Sequence, residues 1–484
     1  MDVKIKKNRE LSIWEALIPL LILIVMLGYN VFVYGDDSLS GSNQFILLLG
    51  GAVAAIVGFL NKVSYAEMID AVGKNIHSTT GSILILLLVG ALAGTWLISG
   101  VIPAMIYYGL QILSTSVFLP ATVIICAIIS VATGSSWTTS ATVGIALIGI
   151  GSALGIPLGI VAGAVVSGSY FGDKLSPLSD TTNLAAAMAG TDLFTHIRYM
   201  LLTTVPTLSI TLIIFAFLGL NGEASGATDT SAIMASIEQS FNISPWLFIV
   251  PVLVIAMIVK KTEPLVALLV GSLLGGVFAL IFQPQVVAEI AGVSQLDFKS
   301  SYFGIMNAIT VSSTIPTDNE TLKDLFSASG MAGMLPTIWL ILCAMVFGGV
   351  MEAIGALSRI SAALLKLSNS IFSLFASTVA SCLALNITAS DQYLAIVVPG
   401  KMFSQAFREK GLAPENLSRS LEDSGTVTSV LIPWNTCGAY HAGVLGVDTL
   451  AYAPYAFFNY LSPFTTLLFA ALNIKIKMLI QKTK

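Results

Sequence analysis

The sequence predicts an all-α polytopic membrane protein: two inverted-topology repeats with broken helices and re-entrant hairpins, in about 10–14 membrane segments. Three observations point there. Hydrophobic residues make up 56% of the 484 and charged residues only 10%, against roughly 25% charged in a soluble domain. Apolar runs near the length of a membrane crossing recur along the whole chain. Several of these runs stop abruptly in dense polar breaks that carry aspartates.

Residues 1–12 form a basic tail with Lys4, Lys6, Lys7 and Arg9. The first membrane repeat covers 13–220. Its opening run, 13–33, reads as a retained helix, because no small-residue cleavage site follows it. Runs at 44–60, 82–112, 118–132, 138–151, 156–170 and 196–220 follow. The run at 118–132 ends in "TGSSWTT", and that at 156–170 ends in "YFGDKLSPLSDTTN". Residues 221–244 form a polar linker with three acids and no Lys or Arg. The second repeat, 245–475, has runs at 245–260, 264–283, 335–357, 371–387, 392–407, 426–443 and 453–474. The run at 371–387 ends in "NITASDQ", and 476–484 is a short basic tail.

Charge sets the expected orientation. The positive-inside rule puts the N-terminal tail, Lys260, Lys261 and the C-terminal lysines in the cytoplasm, and the acidic linker outside. Each half then makes an odd number of crossings, and the halves lie upside down relative to each other. A weak internal similarity agrees. Gly94 and Gly100 match Gly349 and Gly355 at an offset of 255, where "TGSSW" also meets "TASDQ". "DKLSPLS" and "DSGTVTS" match at an offset of 250.

Inverted repeats with broken helices are the architecture of secondary transporters, whose half-helix ends and unwound carbonyls meet near the midplane. An Asp at a helix centre costs about 2.5–3.5 kcal/mol even on a lenient insertion scale, so such residues face a cavity or a partner. The candidates are Asp173, Asp180, Asp391 and Asp423. Asp180 could equally cap the helix that follows it. Lys174 is positioned to compensate Asp173. Hydroxyls near the breaks complete a hard-oxygen shell suited to a small cation: Thr133, Ser135 and Ser136; Ser176 and Ser179; Thr388 and Ser390; Thr426 and Ser429. Asn386, Asn435 and His441 are further polar candidates. Sodium is assigned to Asp391 and Asp173. Small residues at these positions also serve helix packing, which is the bland alternative for any one of them.

The composition excludes other classes. The four cysteines lie in or beside apolar runs and read as core residues. No basic stripe with interleaved aromatics suggests nucleic acid. No phosphate-binding G-x-x-x-x-G-K-[ST] is present, so energy comes from ion gradients. No metalloprotease or serine-hydrolase motif suggests an enzyme, and a passive channel would not need acidic breaks in both halves. No cofactor is expected; sodium and protons are coupling or transported ions.

"GSYFGDKLSPLSDTTNLAA" resembles the signature of the NhaC-type sodium/proton antiporters, with "TGSSWTT" and "LEDSGTVTSVLIPWNTCG" in support. The resemblance covers nearly the whole chain. It implies a secondary transporter and singles out Asp173, Ser176, Ser179 and Asp180. It implies sodium/proton antiport or, as in some members, exchange of malate with protons for lactate with sodium; related proteins move amino acids. The expected partners are the lipid bilayer and inorganic cations or a small organic solute, in a multi-pass cell-membrane protein with cytoplasmic termini. A homodimer is an open possibility.

Overall fold

The computed structural model describes residues 11–34, 41–220, 230–317, 323 and 325–479. Most of the basic tail, residues 221–229 of the linker and the last five residues lie outside the described residues. The chain is helical nearly throughout. The sheet consists of one antiparallel pair, β1 (Ser313–Thr314) and β2 (Ser327–Ala328). Among the described residues eight helices are long and apolar enough to cross a membrane, or nine if one bent pair counts as a span.

The first half holds α1 (Ile13–Tyr34), α2 (Ser42–Leu60), the amphipathic α3 (Tyr65–Ser78), α4 (Thr80–Ile98), α5 (Val101–Ile112) and α6 (Thr115–Thr133). Then come α7 (Ser136–Thr139), α8 (Ile145–Ala153), α9 (Leu158–Leu175), α10 (Asp180–Ala189) and α11 (Leu193–Leu220). The run 82–112 is therefore two helices and not one. Gly100, left-handed at φ 80°, breaks it, and a side chain is strained in that conformation. Helix α12 (Thr230–Ser240) and α13 (Ile249–Val259) enclose a sharp bend of 87°. Next come α14 (Pro264–Phe282), α15 (Pro284–Ala291) and α16 (Phe298–Thr310). The chain closes with α17 (Leu335–Ala353), α18 (Ala356–Leu365), α19 (Ile371–Thr388), α20 (Gln392–Glu409), α21 (Pro414–Leu421), α22 (Thr436–Leu445), α23 (Thr449–Tyr452) and α24 (Phe457–Ala471).

The polar breaks fall where the hydroxyl-rich segments predict. Thr133 ends α6, Gly134 turns left-handed at φ 71°, and Ser135 caps α7 with its side chain on Thr138 N. Thr388 ends α19, Ser390 takes φ 59°, and Asp391 caps α20 with its side chain on Leu394 N. Each makes a helical hairpin with a polar tip. The helices α9 and α21 break after their own runs, and Ser179 and Asn435 cap the half-helices α10 and α22.

These boundaries recur at a constant spacing. The pairs Thr115/Ile371, Ser136/Gln392, Leu158/Pro414, Asp180/Thr436 and Gly190/Gly446 all lie 256 positions apart. A hydrogen bond recurs too: Ser130 Oγ donates to Ser169 O (2.6 Å), and Asn386 Nδ2 donates to Gly425 O (2.8 Å). The offset of 250 that aligned Asp173 with Asp423 is not the one the helix ends follow. At 256, Asp173 meets Ser429 and Asp423 meets Ser167.

Large apolar side chains such as Phe32, Ile213, Phe217 and Phe298 stand exposed on the outer surface. In water this would be costly; against lipid it is expected. Trp14, Tyr34 and Trp246 also face outward, as a belt requires.

Candidate functional site

The two hairpin tips and the α9–α10 break converge on one cavity of about 500 Å³. Thr133, Ser135, Asp173, Asp180 and Asp391 all line it. Both aspartates to which the sequence assigns sodium line this one cavity.

Asp173, in the last turn of α9, points its carboxylate at the start of α7. Its Oδ2 accepts from the Ser136 backbone N–H (3.1 Å) and hydroxyl (2.7 Å). A helix N-terminus favours negative charge through its unpaired N–H groups. Oδ1 of Asp173 is buried with no protein partner among the described residues. Asp391 stands opposite as the cap of α20, accepting from Leu394 N at 3.0 Å. Asp180, at the start of α10, accepts a hydrogen bond from the Tyr393 hydroxyl and so ties the two halves across the cavity wall. Trp137 of the first tip stacks on Tyr440 of α22 at 3.9 Å and 17°, and the Tyr440 hydroxyl donates to Trp137 O.

Other candidates build the scaffold behind the cavity. Ser176 Oγ donates to Val131 O (2.9 Å), pinning the α9 break to α6. Ser179 caps α10. The Thr388 hydroxyl donates back to Ala384 O, while the Ser390 carbonyl accepts from Thr436 N (3.0 Å). Asn435 Nδ2 donates to Asn386 O (3.0 Å), bracing the second tip. Ser429 Oγ donates to Thr426 O and reaches Gln392, which lines the cavity. The Thr426 hydroxyl is buried and forms no hydrogen bond of ordinary geometry among the described residues. His441 is buried in α22; its Nδ1 donates to Cys437 O (2.9 Å), which fixes the tautomer, and its ring lies beside Tyr170 and Tyr440.

Asp423 lies away from the cavity. It is fully buried, paired with Lys174, and accepts from Thr203 and Thr466. Lys174 therefore compensates Asp423 and not its chain neighbour Asp173. Three further charged groups stand out, with Glu263 a fourth that lines the cavity near Lys261. Lys261, left-handed at φ 65°, lines the cavity. Arg419 is fully buried with no hydrogen-bond acceptor among the described residues, and lies over the Tyr199 ring at 4.7 Å. Glu422, three residues on, is fully buried with neither carboxylate oxygen partnered. A charged residue in a short, strongly polar helix looks like a solvated face, so nothing in "PENLSRSLED" signals this burial.

Among the described residues no three His, Cys, Asp or Glu cluster as a metal centre. The cavity donors are carboxylates and hydroxyls, which suit a hard monovalent cation. A helical bundle with broken helices around a polar, acid-lined cavity defines a membrane transporter of the gradient-driven class. The chain belongs to the Na+/H+ antiporter family, whose model matches residues 168–474. It is 38% identical over 422 residues to the Na(+)/H(+) antiporter NhaC of Alkalihalophilus pseudofirmus, covering 87% of this chain and 88% of that one. It is 35% identical to the malate-2H(+)/Na(+)-lactate antiporter of Bacillus subtilis, covering 94% of each. It is also 35% identical to the arginine/ornithine antiporter ArcD of Halobacterium salinarum, covering 93% of this chain and 90% of that one. The protein is a multi-pass membrane transporter and not an enzyme.

Proposed function

We propose that the protein exchanges sodium for protons by alternating access, with Asp173 and Asp391 as the ion-binding carboxylates. The carrying observation is that these two aspartates, from breaks 218 positions apart in number (391 against 173), line one cavity with Ser135 and Thr133. A carboxylate neutralised by a proton binds sodium poorly, and one holding sodium resists protonation. One site that takes either ion, opening to each side in turn, is sufficient for antiport.

The recurrence at 256 positions supports two related halves, and the charge distribution supports their inversion. The same charges favour a cytoplasmic position for both termini and for the Lys260–Lys261 turn, whose Lys261 lines the cavity. The halves span 13–220 and 245–475, joined by the extracytoplasmic linker 221–244. A homodimer is compatible with the exposed outer helices.

One observation favours a second reading. The cavity of about 500 Å³ exceeds what a sodium ion needs, and Lys261 lines it. A carboxylate-bearing solute could use Lys261 as counter-charge, and two of the relatives are named for organic substrates. Reconstitution in liposomes with an internal pH dye decides. Sodium-driven proton movement with no organic solute present is the expected result. A pH response that requires malate, lactate or an amino acid would replace this reading with the second. Asp173→Asn and Asp391→Asn are each expected to reduce coupled flux at least tenfold with the protein still folded.

A further inference from the structure

The cavity does not account for every buried acid. Glu422 lies on a π-helical turn, Glu422–Thr426, that continues α21. It is 0% exposed, and neither carboxylate oxygen has a protein partner among the described residues. Polar groups buried at membrane depth without a role are rare, and an ionisable one marks an ion path by default. A single-turn π-helix inside an α-helix is itself frequent at functional sites.

Its surroundings give the role. Asp423, the next residue, pairs with Lys174, the chain neighbour of Asp173, and this brings all three charges near Glu422. Of the other elements packed on this turn, α19 and α24 carry no charged residue, α10 begins with Asp180, and the charged residues of α20, Lys401, Arg408 and Glu409, are exposed. Lys174 is already occupied by Asp423. Arg419, one turn back, points into the aromatic rings of Tyr199, Phe375 and Phe469 and forms no ion pair with Glu422. Glu422 therefore sits one residue from the Lys174–Asp423 pair that adjoins Asp173, with no ion-pair partner of its own among the described residues.

We propose that Glu422 carries a proton of the exchange at a site separate from the sodium-facing Asp173. The inference rests on the sodium/proton reading above and adds a residue to it. On loading, an O–H bond forms at one Glu422 oxygen, which suits a buried carboxyl that has no ion pair or hydrogen bond of its own among the described residues. A sodium ion arriving at Asp173 brings positive charge within range and favours the ionised carboxylate. The O–H bond then breaks, and the proton leaves toward the cavity. The coupling is reciprocal: a proton on Glu422 removes negative charge near the sodium site and weakens sodium there by the same factor.

The test compares wild type, Glu422→Gln and Glu422→Asp in liposomes. Two fluxes are read: sodium-driven proton movement by pH dye, and exchange of radiolabelled sodium for unlabelled sodium. Glu422→Gln is expected to lose at least tenfold in proton movement, to keep sodium–sodium exchange within about threefold, and to lose the pH dependence of that exchange. Glu422→Asp is expected to keep proton coupling with a displaced pH profile. Wild-type proton movement in Glu422→Gln overturns the proposal, as does loss of sodium–sodium exchange in a folded, monodisperse variant. If Glu422→Gln does not fold, a Glu422→Asp profile superimposable on wild type overturns it, and a displaced one supports it. Absence of sodium-driven proton movement in wild type itself overturns the antiport reading and this inference with it.

Discussion

Asp423 and Lys174 meet where neither sees solvent, and the pair is held by Thr203 and Thr466 as well. Removing one partner of such a pair leaves a bare buried charge and costs about 3–5 kcal/mol, whereas replacing both with apolar residues of similar volume is often neutral. Lys174→Met is therefore expected to unfold at a markedly lower temperature than wild type in detergent. The double variant Lys174→Met, Asp423→Leu is expected to recover most of the loss. Thermal unfolding followed by intrinsic fluorescence measures both. This pair is also where the sequence is least legible. Its partners lie 249 positions apart, and chain neighbours suggest the wrong pairing, Lys174 with Asp173. The cavity aspartates are legible because each sits in a hydroxyl-rich break that no transmembrane helix needs. Arg419 is not, because the polar helix α21 reads as solvated until the packing around it is known.

The two hairpin tips solve one turn with different residues. Gly134 adopts φ 71° without strain, and a Cβ there would meet Leu178 Cβ at 2.6 Å. Ser390 adopts φ 59° and keeps a side chain whose hydroxyl is buried without a partner among the described residues. A left-handed conformation costs a non-glycine residue roughly 1–2 kcal/mol, part of which glycine returns as lost chain entropy. Ser390→Gly is thus expected to stabilise the protein by about 0.5–1 kcal/mol. Gly134→Val, strained and clashing, is expected to destabilise it by about 2–3 kcal/mol. Unfolding temperatures of the purified variants check both signs. A stabilising Ser390→Gly that also slows transport would mean the strain belongs to the transport cycle. The breaks themselves follow from the sequence, since hydroxyls, glycine and aspartate interrupt apolar runs. Their spacing does not, because small and hydroxyl residues are common enough for an offset of 250 to look as good as 256.

For the molecule as a whole, access to the cavity is the measurable quantity. All four cysteines, Cys126, Cys343, Cys382 and Cys437, are buried, so the wild type is a quiet background for thiol labelling. Ser78 lines the cavity and is exposed. With the charge-derived orientation, a membrane-impermeant maleimide is expected to label Ser78→Cys in inside-out vesicles and not in right-side-out ones. The opposite pattern would reverse the orientation. The constant spacing of the helix ends carries a further implication. Two halves that match in backbone lengths do not match in charge: 256 positions from Asp173, Asp180, Asp391, Glu422 and Asp423 stand Ser429, Thr436, Ser135, Val166 and Ser167. If the halves exchange roles in the proposed cycle, the exchange would restore the shape of the pathway but not its electric field. Such a carrier would grip its ion with unequal strength at its two doors.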